Sequence, residues 1–236
     1  MARGIFITGT DTGVGKTLVA AGLVRLAAAR GERAVGLKPV ASGATLTPGG
    51  LRNADALALA AESSVALPYD LTNPHCFEPA IAPHLAAAAA GAALSLADLA
   101  HWYARASAEA RLAIVEGAGG WRVPLHPAGF LSDLPEHLGL GVILVVGLRL
   151  GCLNHARLTL EAIEHSGRCR VLGWIGNRID PDFARLDDNL ATLARLLGGP
   201  PLAVLPPLTP PSAAAALAHL ERPAVLQALR LAGPAR

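Results

Sequence analysis

The sequence predicts an α/β fold: a mostly parallel central sheet with helices on both faces, built as a single domain over residues 1–236. Three observations predict it. Short apolar runs rich in β-branched residues alternate with alanine- and leucine-rich stretches along the chain. One of these runs, 142–146, has no polar residue, as a strand buried on both faces of a parallel sheet requires. The first run turns through glycines directly into a helical stretch, the opening of a strand–helix–strand crossover. A length of 236 residues supplies one good core and is short for two ordinary domains.

The elements follow in order. Residues 5–8 (Ile-Phe-Ile-Thr) stop at Gly9 and read as a buried first strand. Residues 17–30 carry Leu18, Ala20, Ala21, Leu23, Val24 and Ala27, and Gly31 stands where a glycine closes a helix. A second strand is expected over 34–38, closed by Pro39. Asn53 is placed to cap a helix over 54–62. Ser95 with Asp98 three residues on has the capping-box form, opening a helix over 95–111. Strands are expected over 112–115, 142–146, 170–175 and 202–205. Helices are expected over 152–166 and 182–197. The tail from about 210 is alanine-rich and predicted helical. The alanine run 86–90 reads as packing filler in a helical hairpin region.

Composition narrows the function. Apolar residues make up 52% and charged residues 16%, which excludes a disordered charged tail. Twenty basic against 18 acidic residues give +2, no sign of a nucleic-acid partner. The mean hydropathy is +0.41, but the most apolar stretch, 138–148, contains glycines and stops at Arg149, too short to span a membrane. The N-terminus lacks the shape of a signal peptide. Three scattered cysteines, Cys76, Cys152 and Cys169, form no CxxC pair, which points to a reducing cytoplasm. The histidines show no metal spacing. Only two of the 20 basic residues are lysines, Lys16 and Lys38; the other 18 are arginine.

The first strand runs into Gly9-Thr10-Asp11-Thr12-Gly13-Val14-Gly15-Lys16-Thr17 and then a helix. Successive N–H groups and the positive helix end surround an anion there, and glycine lets the backbone approach it closely. The lysine would reach the β- and γ-phosphates and the Thr17 hydroxyl would bind Mg²⁺. The chain is thus P-loop NTPase-like. The loop, 9–17, is one residue longer than the common pattern, because position 10 is threonine and Gly9 lies six before Gly15.

A nucleotide site of this kind needs carboxylates for Mg²⁺. Glu116 ends an apolar strand and is followed by Gly117-Ala118-Gly119-Gly120, in the Walker-B-like place. Asp55, taken alone, is equally an ordinary first-turn acid favoured by the helix dipole. Lys38 ends the second strand, which sets its head at the C-terminal edge of the sheet beside the phosphate loop. In an arginine-rich chain an interchangeable surface charge there would be arginine, so a compact ammonium is expected to have a task.

Together the loop, the segment Gly36-Leu37-Lys38-Pro39-Val40-Ala41-Ser42-Gly43, Leu51-Arg52-Asn53-Ala54-Asp55, Val115-Glu116-Gly117-Ala118-Gly119-Gly120-Trp121 and Gly151-Cys152-Leu153-Asn154-His155 resemble the dethiobiotin synthetase family. The resemblance runs in order from residue 5 to about 207, and the lengthened loop is itself a trait of that family. It implies an ATP- and Mg²⁺-dependent cyclo-ligase of biotin biosynthesis. Such an enzyme joins CO₂ to 7,8-diaminononanoate, through a carbamate and a carbamic-phosphoric anhydride, to give dethiobiotin, ADP and phosphate. It implies Lys16 and Lys38 as catalytic cations, and Thr17, Asp55 and Glu116 as Mg²⁺ ligands. Nucleotide contacts are implied for Gly13, Val14, Gly15, Leu18, Gly117, Ala118 and Gly119, with Asn177, Arg178, Leu205, Pro206 and Pro207 around the base. Diamine contacts are implied for Thr12, Lys38, Ser42 and the helix start Gly151, Cys152, Leu153 and Asn154. That helix start serves the neighbouring subunit in the family, so a homodimer is implied; read from the residues alone, it is equally an asparagine cap with a packing cysteine. Trp121 and Arg122 either rim the cleft or anchor the loop.

Three other readings compete, one of them a nucleotide-binding module that has lost catalysis, against which Lys38 and both carboxylates speak. A P-loop amide-forming synthetase would draw ammonia from a glutaminase domain, for which the chain has no room. A dimeric ATPase switch of the partition or septum-placing type carries an additional lysine near the start of the loop, where this chain has Thr10, Asp11 and Thr12.

Overall fold

The structure, a computed structural model, describes residues 2–126 and 129–231. In chain order the elements are β1 (Arg3–Gly9), α1 (Lys16–Ala29), β2 (Ala34–Leu37), β3 (Val40–Ala41), β4 (Thr45–Thr47), β5 (Gly50–Arg52), α2 (Ala54–Glu62), α3 (Tyr69–Thr72), β6 (His75–Cys76), α4 (Pro83–Ala89), α5 (Leu96–Ala106), β7 (Leu112–Glu116), β8 (Pro124–His126), β9 (Gly129–Phe130), α6 (Asp133–Leu138), β10 (Gly141–Gly147), α7 (Cys152–Ser166), β11 (Arg170–Asn177), α8 (Leu186–Leu196), β12 (Ala203–Leu205), α9 (Ala213–Leu220) and α10 (Pro223–Leu229).

Six strands form one sheet in the order β12-β11-β10-β1-β7-β2, and every pairing in it is parallel. Side chains alternate across it because a strand has period two. Ile5, Ile7, Ile114, Ile143 and Val145 face α1, α9 and α10, while Phe6, Val35, Ala113 and Val115 face α5 and α6. Leu144, Val146 and Trp174 pack under α7 and α8. Each fully buried Leu or Ile contributes about 2 kcal/mol of transfer free energy, so the two covered faces supply the stability that exposed charge at the sheet edge does not.

The expected strands and most expected helices are present. Asn53 caps α2, its Oδ1 accepting from the N–H groups of Asp55 and Ala56. Ser95 caps α5 through the Asp98 N–H. Two helices are shorter than expected. The one expected over 95–111 ends at Ala106, where the Ser107 hydroxyl bonds back to the Tyr103 carbonyl and a turn follows. The one expected over 182–197 begins only at Leu186, because Asp180 accepts from the Asp182 N–H and holds a turn, and Arg185 takes a φ of 55°. The tail is helical as α9 and α10; its last stretch, 232–236, lies outside the described residues. Among the described residues no helix is long and apolar enough to cross a membrane.

The chain order creates the site. From β1 the crossover through α1 leads to β2 on one side of the sheet, whereas β10 lies on the other side of β1. Ligands of open parallel sheets bind where the order reverses, beyond the strand C-termini. Gly9, Leu37 and Glu116 end the adjacent strands β1, β2 and β7 there.

Candidate active site

Gly15 has a φ of 91°, a left-handed value that favours glycine. A Cβ on Gly15 would also collide with the side-chain amide of Asn177. That amide, at the end of β11, donates to the Val14 carbonyl at 3.0 Å and so pins the phosphate loop to the sheet. Lys16 is buried, and its Nζ donates to the Asp11 carbonyl at 2.9 Å, folded back over its own loop. The sequence places Asn177 at a strand end; the structure commits one of its N–H groups to the loop.

Lys38 follows β2 directly. Its backbone is clamped by two bonds: its N–H donates to the Thr72 carbonyl and its carbonyl accepts from Asn73 Nδ2, both at 2.8 Å. Its Nζ lies 2.7 Å from Glu116 Oε1, 3.0 Å from Asp55 Oδ2 and 3.1 Å from the Gly117 carbonyl. Thr17 Oγ1 donates to the same Glu116 Oε1 at 2.8 Å. Thr17, Asp55, Glu116 and Lys38 therefore meet at one point beside Lys16. Asp55 reaches it because α2 starts there, and Asn53 holds that start by donating to the Ser42 carbonyl through Nδ2 and to the Tyr69 hydroxyl through its N–H.

The charges are set by this crowding. Burial alone would lower the Lys38 pKa, but the Glu116 and Asp55 carboxylates outweigh it and hold the ammonium above the ordinary lysine value. Lys16 is brought down to about 8, by burial first and then by the Lys38 ammonium. Burial would raise Asp55, yet Lys38 and hydrogen bonds from Lys38 and Thr17 hold it below its ordinary value. Glu116 is pushed up, chiefly by burial; Lys38 opposes the shift and Asp55 adds to it.

Mg²⁺ fits this donor set. The hydroxyl of Thr17 and the carboxylates of Asp55 and Glu116 are all hard oxygens, and Mg²⁺ takes few protein ligands when phosphates and waters supply the rest. Glu116 Oε2 is buried without a hydrogen-bond partner in the structure, an orphan that a cation would satisfy.

Above these groups opens a cleft of about 850 Å³. Thr12, Gly13, Gly15, Lys16, Thr17, Lys38, Ser42, Asp55, Glu116, Ala118 and Gly119 line it. Ala80, Ile81, Ala82 and Pro83 form an apolar wall that sequence reasoning missed, since nothing in that proline-rich loop carries a periodic signal. Arg122 lines the cleft, and Trp121 is buried against Phe6, so of that pair one rims the cleft and the other anchors the loop.

Several named residues sit elsewhere. The side chains of Val14 and Leu205 are in the core and that of Leu18 packs against it, and the Val14 and Leu205 carbonyls accept from Asn177 Nδ2 and the Arg178 N–H. The Gly117 carbonyl is taken by Lys38. Arg178 bonds to the Pro181 carbonyl, and Pro206 and Pro207 follow β12 at the sheet edge. Gly151, Cys152, Leu153 and Asn154 do not line this cleft. Gly151, with a φ of 94°, caps α7 in place of Asn154, which is exposed on the first turn.

A strand, a glycine loop and a helix with its lysine buried at the edge of a parallel sheet define a P-loop nucleotide-binding protein. A family model described as an AAA domain matches residues 3–215. The relatives narrow the class. The chain is 50% identical over 226 residues to the ATP-dependent dethiobiotin synthetase BioD of Cellvibrio japonicus, covering 96% of this chain and 99% of that one. It is 53% identical over 218 residues to that of Pseudomonas paraeruginosa, covering 92% and 95%. The chain belongs to the ATP-dependent dethiobiotin synthetase family, a family of enzymes. Among solved structures it is similar to the septum site-determining protein MinD complexed with Mg-ADP from Pyrococcus horikoshii OT3, with a TM-score of 0.58, 17% identity and coverage of 97% and 93%. It is also similar to a ParA family ATPase from Chlorobium tepidum TLS, with a TM-score of 0.55, 16% identity and coverage of 98% and 93%. At such identity these likenesses show the fold alone.

Proposed function

We propose that the chain makes dethiobiotin from 7,8-diaminononanoate, CO₂ and ATP. The observation that carries this reading is the convergence of Lys38, Thr17, Asp55 and Glu116 beside the phosphate loop, in a chain about half identical to dethiobiotin synthetases over nearly its whole length.

One substrate amine attacks CO₂ and loses a proton to give a carbamate. A carbamate oxygen attacks the γ-phosphorus, and the bond from phosphorus to the ADP oxygen breaks. The second amine then attacks the carbamoyl carbon, closes the ring, and expels phosphate while giving up its proton. Negative charge gathers near the γ-phosphate at each stage, so fixed cations aimed there lower the barrier. Lys16 leaves the Asp11 carbonyl to hold the phosphates. Lys38, kept protonated by its carboxylate neighbours, stands beside the carbamate and the transferring phosphoryl group. Thr17, Asp55 and Glu116 would hold Mg²⁺, which would supply further charge neutralisation on the phosphates. Ser42 and Thr12 contact the diamine end, and the wall Ala80–Pro83 suits its aliphatic chain. Asn177, Arg178, Pro206 and Pro207 surround the base.

The enzyme works as a homodimer in this reading. The first turn of α7, residues 151–154, reaches the partner subunit's site and receives the substrate carboxylate on its free N–H groups. Leu150, next to that turn, is 91% exposed, and Leu158 further along α7 is 55% exposed, which supports a contact between two copies. Sedimentation of a pure monomer at micromolar concentration would remove this part.

The test is direct. The purified chain with ATP, Mg²⁺, bicarbonate and the diamine is expected to yield dethiobiotin and ADP in equal amounts. ATP turnover independent of the diamine would overturn the reading in favour of an ATPase switch.

A further inference from the structure

The first half of the phosphate loop is tied sideways to the connection between β10 and α7. The Thr10 N–H donates to the Val145 carbonyl at 3.0 Å. Arg149 then reaches across 138 positions of sequence to Asp11, Nη2 to Oδ2, at 2.7 Å. Asp11 is held from its other side as well, since its Oδ1 accepts the Thr12 N–H at 2.7 Å. Its carbonyl is the one that Lys16 grips. Neither Asp11 nor Arg149 lines the cleft.

Arg149 stands two positions before Gly151, whose φ of 94° turns the chain into α7. Arg149 therefore connects, over a few covalent bonds, the residue that positions Lys16 and the turn that presents residues 151–154. The connection is short and its two ends are fixed by backbone geometry, so a displacement at one end is transmitted to the other. When Lys16 leaves the Asp11 carbonyl for phosphate, Asp11 loses one of its three holds. The guanidinium then carries a larger share of what keeps the loop in place.

We infer that the Asp11–Arg149 ion pair is a positioning pair that couples nucleotide binding in one subunit to reception of the substrate carboxylate by its 151–154 turn. The inference rests on the dimeric ligase reading, in which that turn serves the partner's site, and it makes the two sites of the dimer interdependent. The coupling is reciprocal, as any binding linkage must be: diamine tightens nucleotide by the factor by which nucleotide tightens diamine.

The experiment measures that factor. A non-hydrolysable ATP analogue is titrated calorimetrically into the dimer with and without saturating 7,8-diaminononanoate. The wild-type factor is expected to be about fivefold or more. Arg149→Gln is expected to bring it near one while each separate dissociation constant changes less than about fivefold, the range of a half-exposed pair. Arg149→Lys keeps the charge and is expected to retain most of the factor. Asp11→Asn keeps the acceptor for the Thr12 N–H, and in the double variant with Arg149→Gln it is expected to add no further loss. An unchanged factor in Arg149→Gln, or additive losses in the double variant, overturns the pair. A wild-type dimer that binds both ligands without mutual effect overturns the coupling and leaves the ligase reading standing. A wild-type chain that does not bind the diamine overturns both.

Discussion

The floor of the cleft and its rim are made of different kinds of chain. The floor is the ends of β1, β2 and β7 with the first turn of α1, and its charged residues Lys16, Lys38 and Glu116 are 7%, 3% and 1% exposed. The rim is the wall around Ile81 and the segment from Arg122 to Pro124, and Ile81 is 45% exposed. On the floor Glu116 ends β7, Lys38 follows β2 directly and Lys16 opens α1, so each charge is held at the end of a regular element. On the rim Ala80, Ile81, Ala82, Arg122 and Pro124 are exposed. In the proposed reaction the difference separates labour: the buried floor residues are the ones assigned to phosphoryl transfer, and the exposed rim residues are the ones assigned to the aliphatic chain.

Substitutions test that division. The largest effect is expected on the floor. Lys38→Met leaves Glu116 buried without its cation, which should cost about 3–5 kcal/mol of stability and lower kcat by about a thousandfold or more. Adding Glu116→Gln should return much of the stability, measured by denaturant unfolding, and none of the turnover. Recovered turnover would show that the pair is structural.

Asn177→Ala comes next. It removes the donor to the Val14 carbonyl and opens space against Gly15. An unmade buried hydrogen bond costs about 1–3 kcal/mol, so the KM for ATP should rise about tenfold with a smaller change in kcat. An unchanged KM would mean that the loop holds its shape without the sheet.

The third test uses pH. Lys16 titrates at about 8 in the nucleotide-free, metal-free chain, against 10.5 for an ordinary lysine. Between those values the unfolded chain holds the extra proton, so this group makes folding more favourable as pH rises. Nucleotide binding runs the other way because it needs the ammonium. ADP affinity in EDTA should fall by at most about tenfold per pH unit above 8. Flat affinity from about pH 7 to 9 would show that Lys16 does not titrate there.

The smallest effect is expected on the rim. Ile81→Ser should raise the KM for the diamine by about threefold to tenfold, with kcat and thermal stability unchanged. A loss as large as that of Lys38→Met would abolish the distinction between floor and rim.

The same division explains what was legible in the sequence. Residues 9–17 carry their own strand, turn and helix, and Lys38 and Glu116 end apolar runs, so their places followed from local pattern. The start of α2 followed from Asn53, and the helix expected over 152–166 is α7. The antiparallel pairs β4–β5 and β8–β9 were missed because their strands are three residues or fewer, too short for alternation to register. The clamp on Lys38 by Asn73 is set by how α3 packs, and no spacing in the sequence encodes it. The pairing of Asp11 with Arg149 has the same character: two ordinary charges, far apart in sequence, joined only by the adjacency of β1 and β10.

The scarcity of lysine has a chemical consequence. Lys16 and Lys38 hold the only side-chain primary amines in the chain, and both lie on the floor of the cleft. Reagents that acylate amines have no lysine to consume on the outer surface. Apart from the chain terminus they meet Lys16 first, the one with a free-base fraction near neutral pH. Labelling by such a reagent is therefore a direct report on whether the phosphate site is filled.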